Sequence, residues 1–487
     1  MRISSIIPCV RNANGSGHEQ RRQTDGPGKD EVNRMNDFRK TAQEMLEFIR
    51  ISPTCFHAVA NIGRMLEAAG FQQLQEKEEW KLEKGGRYYT ERNDSSVIAF
   101  VIPEKEVGIR GFHMAAAHSD SPCFKIKEKP ELTVEEHYLR LNTEKYGGMI
   151  LSTWLDRPLS VAGRLAVKNG NGIEGRLVNI DRDLCVIPNV AIHMNREMNK
   201  GVEYNPQVDL LPLLADVSFD EYDAHTTYDA QTASENAEEQ PEAVEKPTLA
   251  ALAAETAGVD AETILGEDLF LYTRQEGKMI GAKGEFVLSP RLDDLQSAFA
   301  LTKAFTESTP AEYINLCAVF DNEEVGSGTR QGADSTFLED TLQRITEGLQ
   351  EGHSTYLRWV ADSFLISADN AHAVHPNHPE KADPANRPYL NGGIVIKYHG
   401  GQKYTTDGIS AAKMKDYCER AKVPYQTYAN RSDIAGGSTL GNISTAHVSV
   451  SSVDIGLPQL AMHSAVETAG MKDTEYAVRA LKEFWGE

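Results

Sequence analysis

The segment Asp321-Asn322-Glu323-Glu324-Val325-Gly326-Ser327 sets two adjacent glutamates directly after an apolar run, Ile314 to Phe320, that reads as a buried strand. A carboxylate pair at a strand's end is awkward for a core and useful for hydrolysis. One acid can hold a cation while its neighbour takes a proton from water. Alone, adjacent acids are ordinarily a solvated turn, and four further segments change that reading. Ala115-Ala116-Ala117-His118-Ser119-Asp120 places His and Asp two apart at a strand end. Ser289-Pro290-Arg291-Leu292-Asp293-Asp294 leads into a helix. Ile366-Ser367-Ala368-Asp369-Asn370 ends another strand, and Leu460-Ala461-Met462-His463-Ser464 lies near the C-terminus. A lone strand histidine is ordinarily a hydrogen-bonded core residue, and an Asp before a helix is ordinarily an N-cap. As a set, these acids and histidines stand repeatedly at strand ends of one α/β region, where such sheets place their sites. Zinc takes N and O donors of this kind.

The elements that must position them follow from periodicity. Phe38, Ala42, Met45, Leu46 and Ile49 recur at helical spacing, Ser52-Pro53-Thr54 breaks that helix, and a second runs from near Cys55 to Gly70. Strands are expected at Val97 to Ile102 and His113 to Ala117. From Gly284 onward a helix (Leu295 to Glu307), a strand (Ile314 to Phe320), a helix (Thr341 to Ala361), strands at Ile394 to Lys397 and Val448 to Val453, and a closing helix (Glu475 to Phe484) alternate. This predicts an α/β fold, a mixed sheet flanked by helices. Between them, residues 123–282 carry short strand signals and the turn chemistry of Gly147-Gly148 and Asn169-Gly170-Asn171-Gly172, which reads as an inserted β-rich domain. Thr248 to Gly266 looks helical. The catalytic domain is therefore split, residues 35–122 and 283–487.

Net charge is −22 over 487 residues, which argues against a nucleic-acid binder. Residues 215–268 hold fifteen acidic residues and one basic one, Lys246. Within them, 219–247 is low in apolar residues and reads as a loop or disorder. Six scattered cysteines without a CxxC pair suggest reduced thiols and a cytoplasmic protein. No apolar stretch reaches the roughly 18 residues of a membrane helix. Residues 1–34 read as a disordered leader, and no secretory signal is recognisable in them.

HSDSP, SPRLDDLQS, DNEEVGS, SADNAHAVHPN and PQLAMHSAVE occur in that order from Met35 to the C-terminus. In this the chain resembles the aspartyl aminopeptidase family of dinuclear zinc metallopeptidases, in its bacterial form. The resemblance implies two zinc ions per subunit, with Co2+ or Mn2+ as possible substitutes. It implies His118 on one ion and His463 on the other, Asp293 bridging, and Glu324 and Asp369 completing one site each. Glu323 would be general base and acid, Asp120 would orient His118, and Asp294 would be a neighbour of the bridge. It also implies peptide substrates cut at the N-terminus, and an insertion that mediates dimerisation and assembly into a dodecamer.

Other candidates are less determined. His193, in the insertion, is implied by the resemblance to reach a neighbouring subunit's site; an ordinary strand histidine is the alternative. Lys397, ending an apolar strand, could pair with an acidic P1 side chain. Tyr404-Thr405-Thr406-Asp407-Gly408 departs from the strictly acidic-specific relatives, which leaves a neutral P1 open. Arg431 and Asp433 are weaker pocket candidates. The cluster His372, His375, His378 reads as a rigid loop that positions Asp369. Gly436-Gly437-Ser438-Thr439-Leu440-Gly441 lacks the Lys of a phosphate loop and reads as a backbone-lined substrate pocket. A dinuclear carboxypeptidase or deacylase, and a non-catalytic scaffold, are the competing functions.

Overall fold

The structure is a computed structural model that describes residues 29–104, 108–217 and 248–487. A nine-stranded mixed sheet forms its centre. In spatial order the strands are Gln72–Gln73, Arg87–Arg92, Ser96–Val101, Ile314–Phe320, Phe112–His118, Phe364–Ala368, Ser451–Gly456, Ile394–Tyr398 and Tyr425–Ala429. The middle strands are apolar throughout because both faces are covered. Strand alternation sorts their side chains. Ala115, Ala117, Cys317 and Val319 pack under Lys29–Arg50, Cys55–Ala68, Leu292–Thr306, Gly408–Arg420 and Asp473–Trp485. Phe112, Met114, Ala116, Leu316 and Phe320 pack on the opposite side against Phe337–Gly348, His353–Ala361 and Leu440–His447.

A second sheet of six strands has the order Gly172–Asn179, Leu159–Asn169, Ile264–Thr273, Cys123–Val134, Tyr138–Tyr146 and Leu213–Asp216. Its core includes Phe124, Trp154, Leu165 and Leu271, with Leu249 and Ala253 of the helix Leu249–Ala257. All its strands come from residues 123–273, within the span read as an insertion. Lys278–Ile280 and Phe286–Ser289 do not join this sheet: they pair with each other, and Phe286–Ser289 pairs with Glu467–Gly470.

Several expected boundaries move. Thr248 to Gly266 is only half helical. Thr248 caps the helix Leu249–Ala257, Gly258 ends it at φ 66°, and Ile264 already begins a strand. The expected helix Thr341 to Ala361 is two helices, since Gln350 adopts φ 62° between them. The first helix begins at Lys29, inside the expected leader. Residues 1–28 and the acidic stretch 219–247 lie outside the described residues.

Candidate metal centre

Three parallel strands deliver most of the site. Phe112–His118 lies between Ile314–Phe320 and Phe364–Ala368 and runs parallel to both. Their C-terminal ends therefore share one edge of the sheet. His118 ends the first, Asp321 to Glu324 follow the second, and Asp369 follows the third. Asp293 enters from the start of the helix Leu292–Thr306, at a kink with φ −84° and ψ 106° and a cis bond to Asp294. His463 comes from the turn after Pro458–Leu460, itself at φ 66°.

The Asp293 carboxylate lies between the two imidazoles. Its Oδ1 is 3.5 Å from His118 Nε2 and its Oδ2 is 3.5 Å from His463 Nε2. Glu324 Oε2 is 3.3 Å from the same His463 nitrogen. Both histidines are held from behind. His118 Nδ1 lies 3.1 Å from the Asp120 carbonyl, and His463 Nδ1 lies 3.0 Å from the Gly148 carbonyl. A donor proton on each Nδ1 leaves Nε2 free as a ligand atom, the usual way outer partners fix a tautomer.

These spacings fit a metal better than direct hydrogen bonds. Two donors about 2.0–2.1 Å from one tetrahedral ion stand about 3.4 Å apart. Ligand atoms of His118, Asp293, Asp294 and Asp369 lie within 4.8 Å of one another; so do those of His118, Glu323 and Glu324, and those of Asp293, Glu324 and His463. Asp293 Oδ1, Asp294 Oδ1 and Glu324 Oε1 are buried with no protein hydrogen-bond partner. Burial and neighbouring carboxylates push Glu324 and Asp294 well above the usual carboxylate range, and burial pushes Glu323 to about 8. Burial also opposes the charge on Asp293, but the two imidazoles outweigh it and hold its carboxyl low. A buried nest of acids with orphaned oxygens is a cation site by its chemistry.

A chain of hydrogen bonds sets the geometry from behind. The Asp120 carboxylate accepts from the backbone amides of Glu323 and Glu324, at 3.1 and 3.2 Å, and from the Tyr146 hydroxyl at 2.7 Å. Asp120 thus ties down the backbone of the glutamate pair, while its own carbonyl faces His118. Burial and the nearby acids hold the Tyr146 phenol far above its ordinary value, so it stays a donor. Glu467 accepts from the amides of Asp293 (3.0 Å) and His463 (2.7 Å). Sequence reasoning passed over both. Glu467 stood inside PQLAMHSAVE, four residues after His463, where an acid in a buried strand was the available signal. Tyr146 had none, since its partners are 26 and 176 residues away.

The remaining candidates are placed as follows. Lys397 is buried and lines the same cleft, yet its charge is already engaged. Its Nζ is 3.5 Å from Asp369 and donates to the Asn370 carbonyl at 3.1 Å. His372 lines the cleft too, whereas His375 and His378 line an adjoining cavity of about 420 Å³. Asp433 is exposed and paired with Arg431 at 2.8 Å, away from the ligand cluster. His193 sits in an exposed turn of the insertion and does not line the cleft.

A family model described as aminopeptidase I zinc metalloprotease (M18) matches residues 48–485. The chain belongs to the M18 family. It is accordingly a zinc metalloaminopeptidase. A probable M18 family aminopeptidase 2 from Clostridium novyi (strain NT) is 46% identical over 448 residues, covering 92% of this chain and 98% of that protein. The chain seen in the cryo-EM structure of the Ape4 and Nbr1 complex superposes with a TM-score of 0.85 at 36% identity, over 92% of this chain and 86% of that one. The S. cerevisiae mApe1 dodecamer gives 0.76 at 26%, over 92% and 97%. In this M18 chain the insertion reaches the metal centre: Gly147 packs on Glu324 and Gly148 holds His463.

Tyr146→Phe is expected to lower kcat/KM about tenfold, the worth of one hydrogen bond to a charged acceptor. Zinc content should not change. Parity with the parent enzyme would mean that the Glu323 and Glu324 amides hold Asp120 unaided.

Proposed function

We propose that this M18 enzyme holds two zinc ions and removes single residues, acidic ones among them, from the N-termini of peptides. The observation that carries this reading is the Asp293 carboxylate standing between His118 and His463. It supports Asp293 as the ligand shared by both ions. His118 and Asp369 would serve one ion, and His463 and Glu324 the other. When bound, such a pair acidifies water and polarises a carbonyl. Co2+ or Mn2+ could take zinc's place, because such O/N donor sets separate these ions weakly.

Glu323 lines the cleft beside the ligands with its backbone amide pinned to Asp120. It takes the proton from the attacking water and returns it to the departing amine. A carboxyl whose pKa is tuned towards neutrality does both jobs. Lys397 is the one Lys or Arg among the described residues lining this cleft. An acidic P1 side chain would find it there, though sharing it with Asp369. The preference for Asp over Leu is therefore expected to be modest.

Self-association is part of the proposal. The mApe1 relative is described as a dodecamer. Here Val190, Ile192 and Met194 flank His193 and are exposed, Met194 by 82%. A second copy would cover them, dimers would build a dodecamer, and His193 would reach the partner's cleft. No helix among the described residues is long and apolar enough to cross a membrane. The buried thiols of Cys55, Cys185, Cys317 and Cys418 are unpaired, which agrees with a cytoplasmic location.

The test is a panel of aminoacyl-p-nitroanilides with Asp, Glu, Leu, Met and Ala, run with zinc, cobalt or manganese and an N-acetyl control. Release from free-amine substrates alone is expected, with Asp exceeding Leu by less than about tenfold. Release from the acetylated control would move the assignment to a deacylase. An Asp/Leu ratio below one would remove the acidic preference.

A further inference from the structure

Behind the cleft wall stands a buried carboxylate that none of the chemistry above uses. Asp454 lies on Ser451–Gly456, the strand between Phe364–Ala368 and Ile394–Tyr398, and is fully buried. The register that pairs Ile396 with Ile455 brings Asp454 level with Lys397. Its carboxylate binds two separate loops. Oδ2 accepts from the Thr405 amide at 2.6 Å and the Thr405 hydroxyl at 2.9 Å. Oδ1 accepts from the Thr439 hydroxyl at 2.5 Å. Its own amide donates to the Thr406 hydroxyl at 2.9 Å. A Cβ at Gly441 would come within 2.8 Å of the carboxylate, so a side chain there would crowd it.

Both loops are walls of the cleft. Tyr404 precedes Thr405, lines the cleft and lies under the Lys397 ammonium, 5.4 Å from Nζ to ring centre. Gly437, Ser438 and Thr439 form the facing wall. Neither loop is a strand or helix of its own at these residues. A charged acceptor with several donors is the strongest tie such loops can have.

We propose that Asp454 is a positioning residue for P1 selection: it locks loops 403–407 and 436–439 together and so fixes Tyr404 and Lys397 against the substrate's N-terminal side chain. It belongs to none of the candidate ligand groups and does not itself line the cleft. This rests on the reading of the cleft as the P1 site. Asp454→Asn keeps the size but turns one acceptor into a donor that must face Thr405 or Thr439.

The experiment measures kcat and KM of Asp454→Asn across the nitroanilide panel, in the full-length assembled enzyme. KM is expected to rise about tenfold for the preferred residue while the spread between P1 residues narrows. Zinc content should stay at the parental value. A uniform fall in kcat with unchanged KM and unchanged P1 spread is the mark of a merely structural role and overturns the proposal; so does parental behaviour. Should Asp454→Asn not assemble, Thr405→Val and Thr439→Val each remove one tie. The pair should be non-additive with each other in KM, and additivity overturns the proposal. Lys397→Met on the same panel tests the reading beneath it. An unchanged P1 spread in that variant would mean that this is not the P1 pocket, whatever Asp454→Asn does.

Discussion

Glu323→Gln should leave a folded, metal-loaded protein with kcat reduced by two to four orders of magnitude, roughly the span that positioned general acid–base groups contribute. The substitution keeps shape and the backbone amide bond to Asp120. It removes only the oxygen able to take a proton. KM should move little, because the metal ligands and the cleft walls are untouched. Glu324→Gln is the contrast. Glu324 faces His463 at 3.3 Å with its other oxygen unpartnered, so its loss should show as metal lost, not as a proton step lost. Measuring zinc per chain beside kcat separates the two. A Glu323→Gln enzyme with parental turnover would remove Glu323 as general base.

Stripping the metal should abolish turnover and also lower thermal stability. Asp293, Asp294, Glu324 and Asp369 are packed into one edge of the sheet, offset among the residues of the cleft by Lys397 and the imidazoles of His118 and His463. Burial holds three of these acids above their ordinary range, the sign of charges that lack a partner. A cation bound only by the folded chain stabilises it by about 4 kcal/mol when present at a thousand times its Kd. Chelator-treated protein is therefore expected to melt several degrees lower, with the melt recovering on zinc addition alone. Identical melts with and without metal would show that the acids settle their charges by protonation.

That these candidate residues would gather at one sheet edge was legible in the chain from a local pattern, while their individual roles came from the family resemblance. Each follows an apolar run that can only be a buried strand, or opens a helix beside one. Glu323 and Glu324 after Ile314 to Phe320 are the clearest case. What could not be read is what stands behind them. Tyr146 on Asp120 and Gly148 on His463 are contacts between segments far apart in sequence, and no periodicity reports them. Lys397 shows the same limit from the other side. Its place in the cleft was foreseeable from its strand, whereas its engagement by Asp369 was not. Helix boundaries failed where one residue overrode the pattern, as Gln350 does by entering the left-handed region.

The hydrogen bond from His463 to Gly148 closes a loop of 315 residues. Long loops close slowly, because their entropy is spent before any contact rewards it. His118 is aimed by the carbonyl of Asp120, two residues away, whereas His463 is aimed only once the chain's last segment has met Gly148. The His463 half of the ligand cluster is therefore assembled across nearly the whole chain, whereas the His118 half starts from a local contact.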